Sequence, residues 1–118
     1  MAINLSKVLK GLESVLKGYE VADGKYTGKS DKWIVFNYTD QRSALEGDDD
    51  ELALNTSITL NVYTPEDYSY LKDVRTIRKY LKENGGNGIT YMNYVEDEIY
   101  KTSYMRHHIF EAVFTTNE

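Results

Sequence analysis

The chain has 118 residues, 41% of them hydrophobic and 28% charged, with a net charge of −5, which is the size and apolar content of one folded domain rather than of a disordered chain. No cysteine occurs, and this excludes a disulfide framework, a thiolate zinc site and a cysteine nucleophile together. No run approaches the roughly 20 apolar residues that cross a bilayer. Residues 1–18 carry lysines in place of an apolar leader core, and the acidic balance argues against nucleic-acid binding, so a cytoplasmic chain is the expectation.

Residues 4–17 set Leu5, Val8, Leu9, Leu12, Val15 and Leu16 at helical spacing, opposite Lys7, Lys10, Glu13 and Lys17. Asn4 or Ser6 caps this helix and Gly18 stops it. Residues 19–32, with Asp23-Gly24-Lys25 and Thr27-Gly28-Lys29, predict a turn or a short irregular hairpin. Trp33-Ile34-Val35-Phe36-Asn37-Tyr38 is aromatic and β-branched, and reads as a strand inside the sheet. Residues 39–51 then hold six acids and one base, which is the whole net charge of the chain; a mobile acidic loop at about 39–52 is expected.

Leu54, Thr56, Ile58, Leu60 and Val62 alternate with Asn55, Ser57, Thr59 and Asn61, the pattern of a strand with one wet face. Thr64-Pro65-Glu66-Asp67 supplies a capping threonine, a proline at the first helical position and an acid three residues on, so a second helix is expected to begin there. Leu71, Val74, Ile77 and Leu81 are its buried stripe, and Asn84-Gly85-Gly86 ends it. Two strands, 89–95 and 104–115, complete the chain, the second with Phe110, Ala112 and Phe114 on one face and Ile109 and Val113 on the other. The expected order is α-β-β-α-β-β. It predicts a single α+β domain over residues 1–118, a two-layer sandwich of a mainly antiparallel sheet of about four strands with two helices on one face. The core is expected to hold Leu12, Trp33, Phe36, Ile58, Leu60, Val74, Ile77, Leu81, Phe110 and Phe114.

Little in the chain carries reaction chemistry. His107 and His108 are neighbours on a strand and so face opposite ways, which makes them a poor shared metal site; an exposed or interface role is expected for them, although Glu111 shares a face with His107. Asp48, Asp49, Asp50 and Glu51 lack the spacing and turn glycine of an EF-hand calcium loop. No serine sits in a Gly-x-Ser-x-Gly elbow, and the glycines at 85–88 follow a helix where a phosphate loop would precede one. The expectation is a protein without catalysis or cofactor. The anomaly is tyrosine: eleven residues, more than so small a domain can bury, and a type favoured at protein interfaces.

The run Tyr26-Thr27-Gly28-Lys29 before the strand at 33–38, the alternating strand that enters a helix through Thr64-Pro65-Glu66-Asp67-Tyr68, and the late pair ending Tyr104-Met105-Arg106-His107-His108-Ile109-Phe110-Glu111 resemble the small tail-completion and tail-terminator (head-to-tail joining) proteins of bacteriophages and prophages of Gram-positive hosts. The resemblance implies a structural virion protein that assembles as a ring, commonly a hexamer. Such a ring caps the tail tube, meets the head connector or a stopper protein, and lets DNA pass without binding it specifically. It implies a location in the tail or neck, and in the host cytoplasm during assembly. The alternatives are a head-completion stopper, or a small intracellular binding module of non-phage role. Assembly residues expected on this reading are Asp48, Asp49, Asp50, Glu51, Tyr63, Tyr68, Tyr91, Tyr94, Tyr104 and His107.

Overall fold

The computed structural model describes residues 4–43, 53–96 and 104–117. Helix α1 (Leu5–Lys10) runs into a 3-10 turn (Gly11–Ser14), and strands β1 (Tyr19–Asp23), β2 (Lys32–Ser43) and β3 (Ala53–Pro65) follow. Helix α2 (Leu71–Glu83) then leads to β4 (Gly86–Glu96) and β5 (Met105–Asn117). The fold is α+β, as expected, but its one mixed sheet has five strands in the order β1-β2-β3-β5-β4. Among the described residues no helix is long and apolar enough to cross a membrane.

The additional strand is β1, which lies in the segment expected to be a turn. It pairs parallel to β2, from Tyr19 opposite Lys32 to Asp23 opposite Phe36, so the glycine-bearing residues after it form a return connection and not a hairpin. Gly24, at φ 78°, donates to the Phe36 carbonyl at 3.0 Å, a conformation that glycine alone adopts without strain. The Tyr26 hydroxyl holds the connection by donating to Glu20 and accepting from the Ser30 amide. On the far edge of β1 the Glu13 carboxylate accepts the Val21 amide at 2.8 Å.

All other pairs are antiparallel. Strands of 13 residues, such as β3 and β5, are about 43 Å long at roughly 3.3 Å per residue. They therefore lie along the 56 Å axis of a molecule 25 and 23 Å across. β2 continues through residues 39–43, so the strand takes the first part of the expected acidic loop; residues 44–52, with Asp48, Asp49, Asp50 and Glu51, lie outside the described residues.

Alternation along β3 is realised in full: Thr56, Ile58, Leu60, Val62 and Thr64 are buried, and the residues between them are half-buried. The core gathers Ile34 and Phe36 of β2, Ile58, Leu60 and Val62 of β3, and Phe110, Ala112 and Phe114 of β5 with Leu5, Leu9, Leu12, Leu16, Ile77 and Leu81 from the helical segments. The two helices are clasped where the Tyr80 hydroxyl donates to the Val8 carbonyl; a Cβ on Gly11 would meet that hydroxyl, so a side chain at position 11 would push the clasp aside.

Three expectations are corrected. The first helix is α-helical only over Leu5–Lys10, with Asn4 accepting the Lys7 amide as its cap, and Val15 is 46% exposed. The second helix starts at Leu71, because Thr64 and Pro65 are held in β3 opposite Arg106 and Met105. Its first residue, Leu71, is consequently 64% exposed, and the buried stripe reduces to Ile77 and Leu81, with Val74 half-buried. Trp33 is also half-buried, for it lies on the outer face of the sheet. The helix ends as expected, with Asn84 as its cap and Gly85 at φ 97°.

Truncating fully buried Leu60 to alanine should cost about 2–5 kcal/mol, whereas Leu71→Ala should change stability by less than about 0.5 kcal/mol. Denaturant unfolding of the two variants checks this, and equal midpoints for Leu60→Ala and the parent would contradict the β3 register.

Candidate functional site

β3 lies between β2 and β5, so a residue on its outer face meets a partner on each side. Trp33 stands opposite Tyr63, Tyr63 opposite His107, and His107 opposite Tyr94. Their side chains form one aromatic row, extended beyond β2 by Tyr26: Tyr26 stacks on Trp33 at 5.1 Å between centroids, Trp33 on Tyr63 at 5.1 Å, and Tyr63 on His107 at 4.4 Å. The ring planes differ by 10 to 20° in these three contacts, and Tyr94 closes the row against His107 at 5.2 Å with a tilt of 57°. Offset stacking of this kind contributes about 0.5–1.5 kcal/mol per pair beyond area burial.

His107, expected to be exposed or at an interface, is buried at 8% exposure, packed against the rings of Tyr63 and Tyr94. The Asn61 side-chain amide oxygen Oδ1 only accepts, so Nε2 donates to it at 2.8 Å; in the neutral ring Nδ1 then accepts from the Tyr94 hydroxyl at 3.0 Å. Beside the row an open concavity of about 510 Å³ is lined by Lys25, Tyr26, Trp33, Asn37, Asn61 and Tyr63.

His108 faces the other way, as adjacent strand residues must, and is 1% exposed. Its Nδ1 lies 2.7 Å from the Tyr91 hydroxyl and its Nε2 2.9 Å from the Thr64 hydroxyl. Asn93 donates to the Tyr91 oxygen at 2.9 Å, so Tyr91 gives its own proton to Nδ1 and His108 donates from Nε2 to Thr64. The chain continues through Arg106, which donates to Asn93 at 2.8 Å and lies over the Tyr70 ring at 4.9 Å. Burial first, then the positive charge of Arg106 and the proximity of His107, lower the His108 pKa to about 4, with Asp73 opposing weakly.

At the base of α2, Asp73 accepts from the hydroxyls of Tyr19, at 2.8 Å, and Tyr68. Lys32 places its ammonium over both rings, 4.9 Å from the centroid of Tyr19 and 4.3 Å from that of Tyr68. Burial raises the Tyr19 pKa and the Asp73 carboxylate raises it further, which keeps this hydroxyl a donor.

The expected interface residues therefore divide by place. Tyr63, Tyr94 and His107 share the outer row; Tyr91 belongs to the buried network on the opposite face; Tyr68 is tied to Asp73; and Tyr104, 51% exposed, stands beside Pro65 and Asp67 at the start of β5. The sequence reading missed Tyr26, Trp33 and Asn61 in the row, and Thr64, Asn93, Arg106 and His108 in the network. It expected a strand at 89–95 but not its place at the edge of the sheet. Among the described residues β4 pairs on one side only, with β5, carries no charged residue from Gly86 to Val95, and exposes Met92 at 56%, Tyr94 at 41% and Val95 at 39%. Natural edges are ordinarily blunted by lysine, proline or covering elements; β1, the other edge, is short and has the Val21 amide occupied by Glu13.

A scan against protein-family models finds no match, and a search of curated proteins finds none either.

Unfolded His108 takes a proton near its ordinary value of 6.5, whereas the folded ring resists until about pH 4. Between those values the unfolded chain binds more protons, so the stabilisation from neutral His108 is complete above pH 6.5 and is lost as pH falls toward 4. The loss amounts to at most roughly 3 kcal/mol. His108→Gln should be less stable at neutral pH and flatten the acid limb, as urea unfolding between those pH values will show; parallel profiles for variant and parent would contradict the assignment.

Proposed function

We propose that this chain is a structural subunit of a phage head–tail junction, a tail-completion or tail-terminator protein. Its ring caps the tail tube and meets the head connector or stopper protein. The observation that carries this reading is the β4 edge: a strand of 11 residues, unpaired on one side among the described residues, uncharged along nearly all its length and exposing Met92, Tyr94 and Val95. Such an edge exposes backbone donors and acceptors that another extended chain satisfies, and a subunit destined for an assembly has reason to leave it uncovered. The exposed Met92, Tyr94 and Val95 of β4 are amphipathic or apolar, the side-chain types of an interface core.

The remaining parts fit a scaffold. The one fully buried histidine is enclosed by hydrogen bonds to Thr64 and Tyr91, with no substrate access, and the outer-row rings stack on one another. The function is to hold a shape and to join, and no reaction is assigned. DNA passes through the ring without specific contacts, and the protein belongs to the tail or neck of the virion after assembly in the host cytoplasm.

Light scattering after size exclusion should give a mass several times 13.6 kDa, and negative-stain microscopy should show closed rings. Met92→Lys combined with Val95→Lys should yield a subunit that melts like the parent and no longer assembles, because lysine on an exposed edge opposes pairing. A parent that is monomeric throughout, or assembly indifferent to both lysines, would overturn the reading; capture of an unrelated strand by a monomer would favour the binding-module alternative.

A further inference from the structure

The net charge of −5 conceals an uneven distribution, for residues 39–51 alone account for all of it. α2, by contrast, carries five basic residues, Lys72, Arg75, Arg78, Lys79 and Lys82, against the acids Asp73 and Glu83. All five basic residues are exposed. At about 100° per residue they fall within an arc of about 120°, so they form one stripe along the helix. Val74, Ile77 and Leu81 take the arc that packs into the core. Asp73 lies off the stripe, held by the hydroxyls of Tyr19 and Tyr68, and Glu83 borders its end. A cation in the last turn of a helix complements the dipole; that accounts for Lys82 but not for a stripe that begins at Lys72.

The stripe runs for about 15 Å, at roughly 1.5 Å per residue. At its C-terminal end Arg78 and Lys82 form with residues 85–89 an open groove of about 540 Å³ that has no carboxylate in its lining. The backbone is bare there. Nothing lies within 4 Å of where a Cβ would stand on Gly85 or Gly88, and Gly88 and Ile89 have no register partner on β5. The helix thus offers a line of cations that ends in accessible main chain.

What such a line fits follows from what accompanies it. Among the described residues no large apolar or aromatic side chain is exposed between Lys72 and Lys82, whereas a protein partner is ordinarily held through an apolar or aromatic centre. Single-stranded nucleic acid is held by rings on which its bases stack. A helix that lies on a membrane inserts its apolar face, and that face of α2 is packed into the core. The backbone of a duplex needs none of these. It is bound through cations and main-chain amides, and about 15 Å of its axis carries about nine negative charges.

We propose that the basic stripe of α2, with the groove at its C-terminal end, binds the phosphate backbone of double-stranded DNA without regard to sequence. The inference goes beyond the ring reading and does not depend on it, because a single subunit presents the whole stripe.

Fluorescence anisotropy of a labelled duplex of random sequence tests it, with titrations at low salt and at stepwise higher salt. The parent should bind, and its affinity should fall steeply as salt rises. Arg78→Gln with Lys82→Gln should reduce the slope of log affinity against log salt by about 1.8, at roughly 0.9 for each lost phosphate contact. Arg78→Glu with Lys82→Glu should lower the affinity at low salt at least about tenfold. Because both residues are exposed, both variants should melt like the parent. Lys25→Glu with Lys29→Glu makes the same change in net charge at exposed positions outside α2 and should weaken binding much less. A parent that does not bind the duplex at low salt overturns the inference, and so does an equal loss in the variant at Lys25 and Lys29. Polyglutamate that displaces the duplex as well as unlabelled duplex does would also overturn it, by making the stripe a surface for acidic proteins.

Discussion

Everything on both faces of the sheet depends on the register of β3. It is paired with β5 from Ala53 to Pro65 and with β2 from Leu54 to Tyr63, so its odd residues meet Trp33 and His107 and its even residues meet Ile34, Phe36, His108 and Phe110. A slip of one residue would turn Leu60 and Ile58 outward and Asn61 and Tyr63 into the core. That error would bury an unsatisfied amide and expose the largest apolar surfaces, each costing a few kcal/mol. The strictness of the alternation in β3 is therefore what fixes the aromatic row on one face and the His108 network on the other.

How much of this was legible follows from whether the determining contact is local. The strand at 54–62 and the body of α2 declare themselves because their period is written in neighbouring residues. The start of α2 does not: Thr64-Pro65-Glu66-Asp67 has all the chemistry of a helix cap, but the Thr64 hydroxyl is bonded to a histidine 44 positions away. Tertiary pairing outweighs a cap worth about 1 kcal/mol. β1 was missed because a five-residue parallel strand with two buried side chains has too little pattern to separate it from the turns around it. The aromatic row was out of reach for a different reason. Parity along the chain says which side of the sheet Trp33, Tyr63, Tyr94 and His107 take, but only the register between non-consecutive strands sets them opposite one another. The acidic residues at 48–51 lie outside the described residues.

The two edges of the sheet are finished differently. β1 is short, lies parallel to its neighbour and is sealed by a glutamate; β4 is long, open and uncharged through Val95. A sheet that protects one edge and leaves the other unpaired among the described residues has a direction. Directional subunits build rings or filaments, whereas self-matching surfaces build dimers.

The row of rings also makes the molecule its own optical gauge. The chain has a single tryptophan, and its indole is sandwiched between Tyr26 and Tyr63 at 5.1 Å on each side. Ultraviolet light absorbed by either phenol passes to the indole at such separations, so the emission of one residue integrates the packing of the 24–31 connection, β2 and β3. A conformational event that loosens this edge is thereby visible in the unlabelled protein, and events at the β4 edge, three strands from Trp33 across the sheet, can be followed against a fixed internal reference.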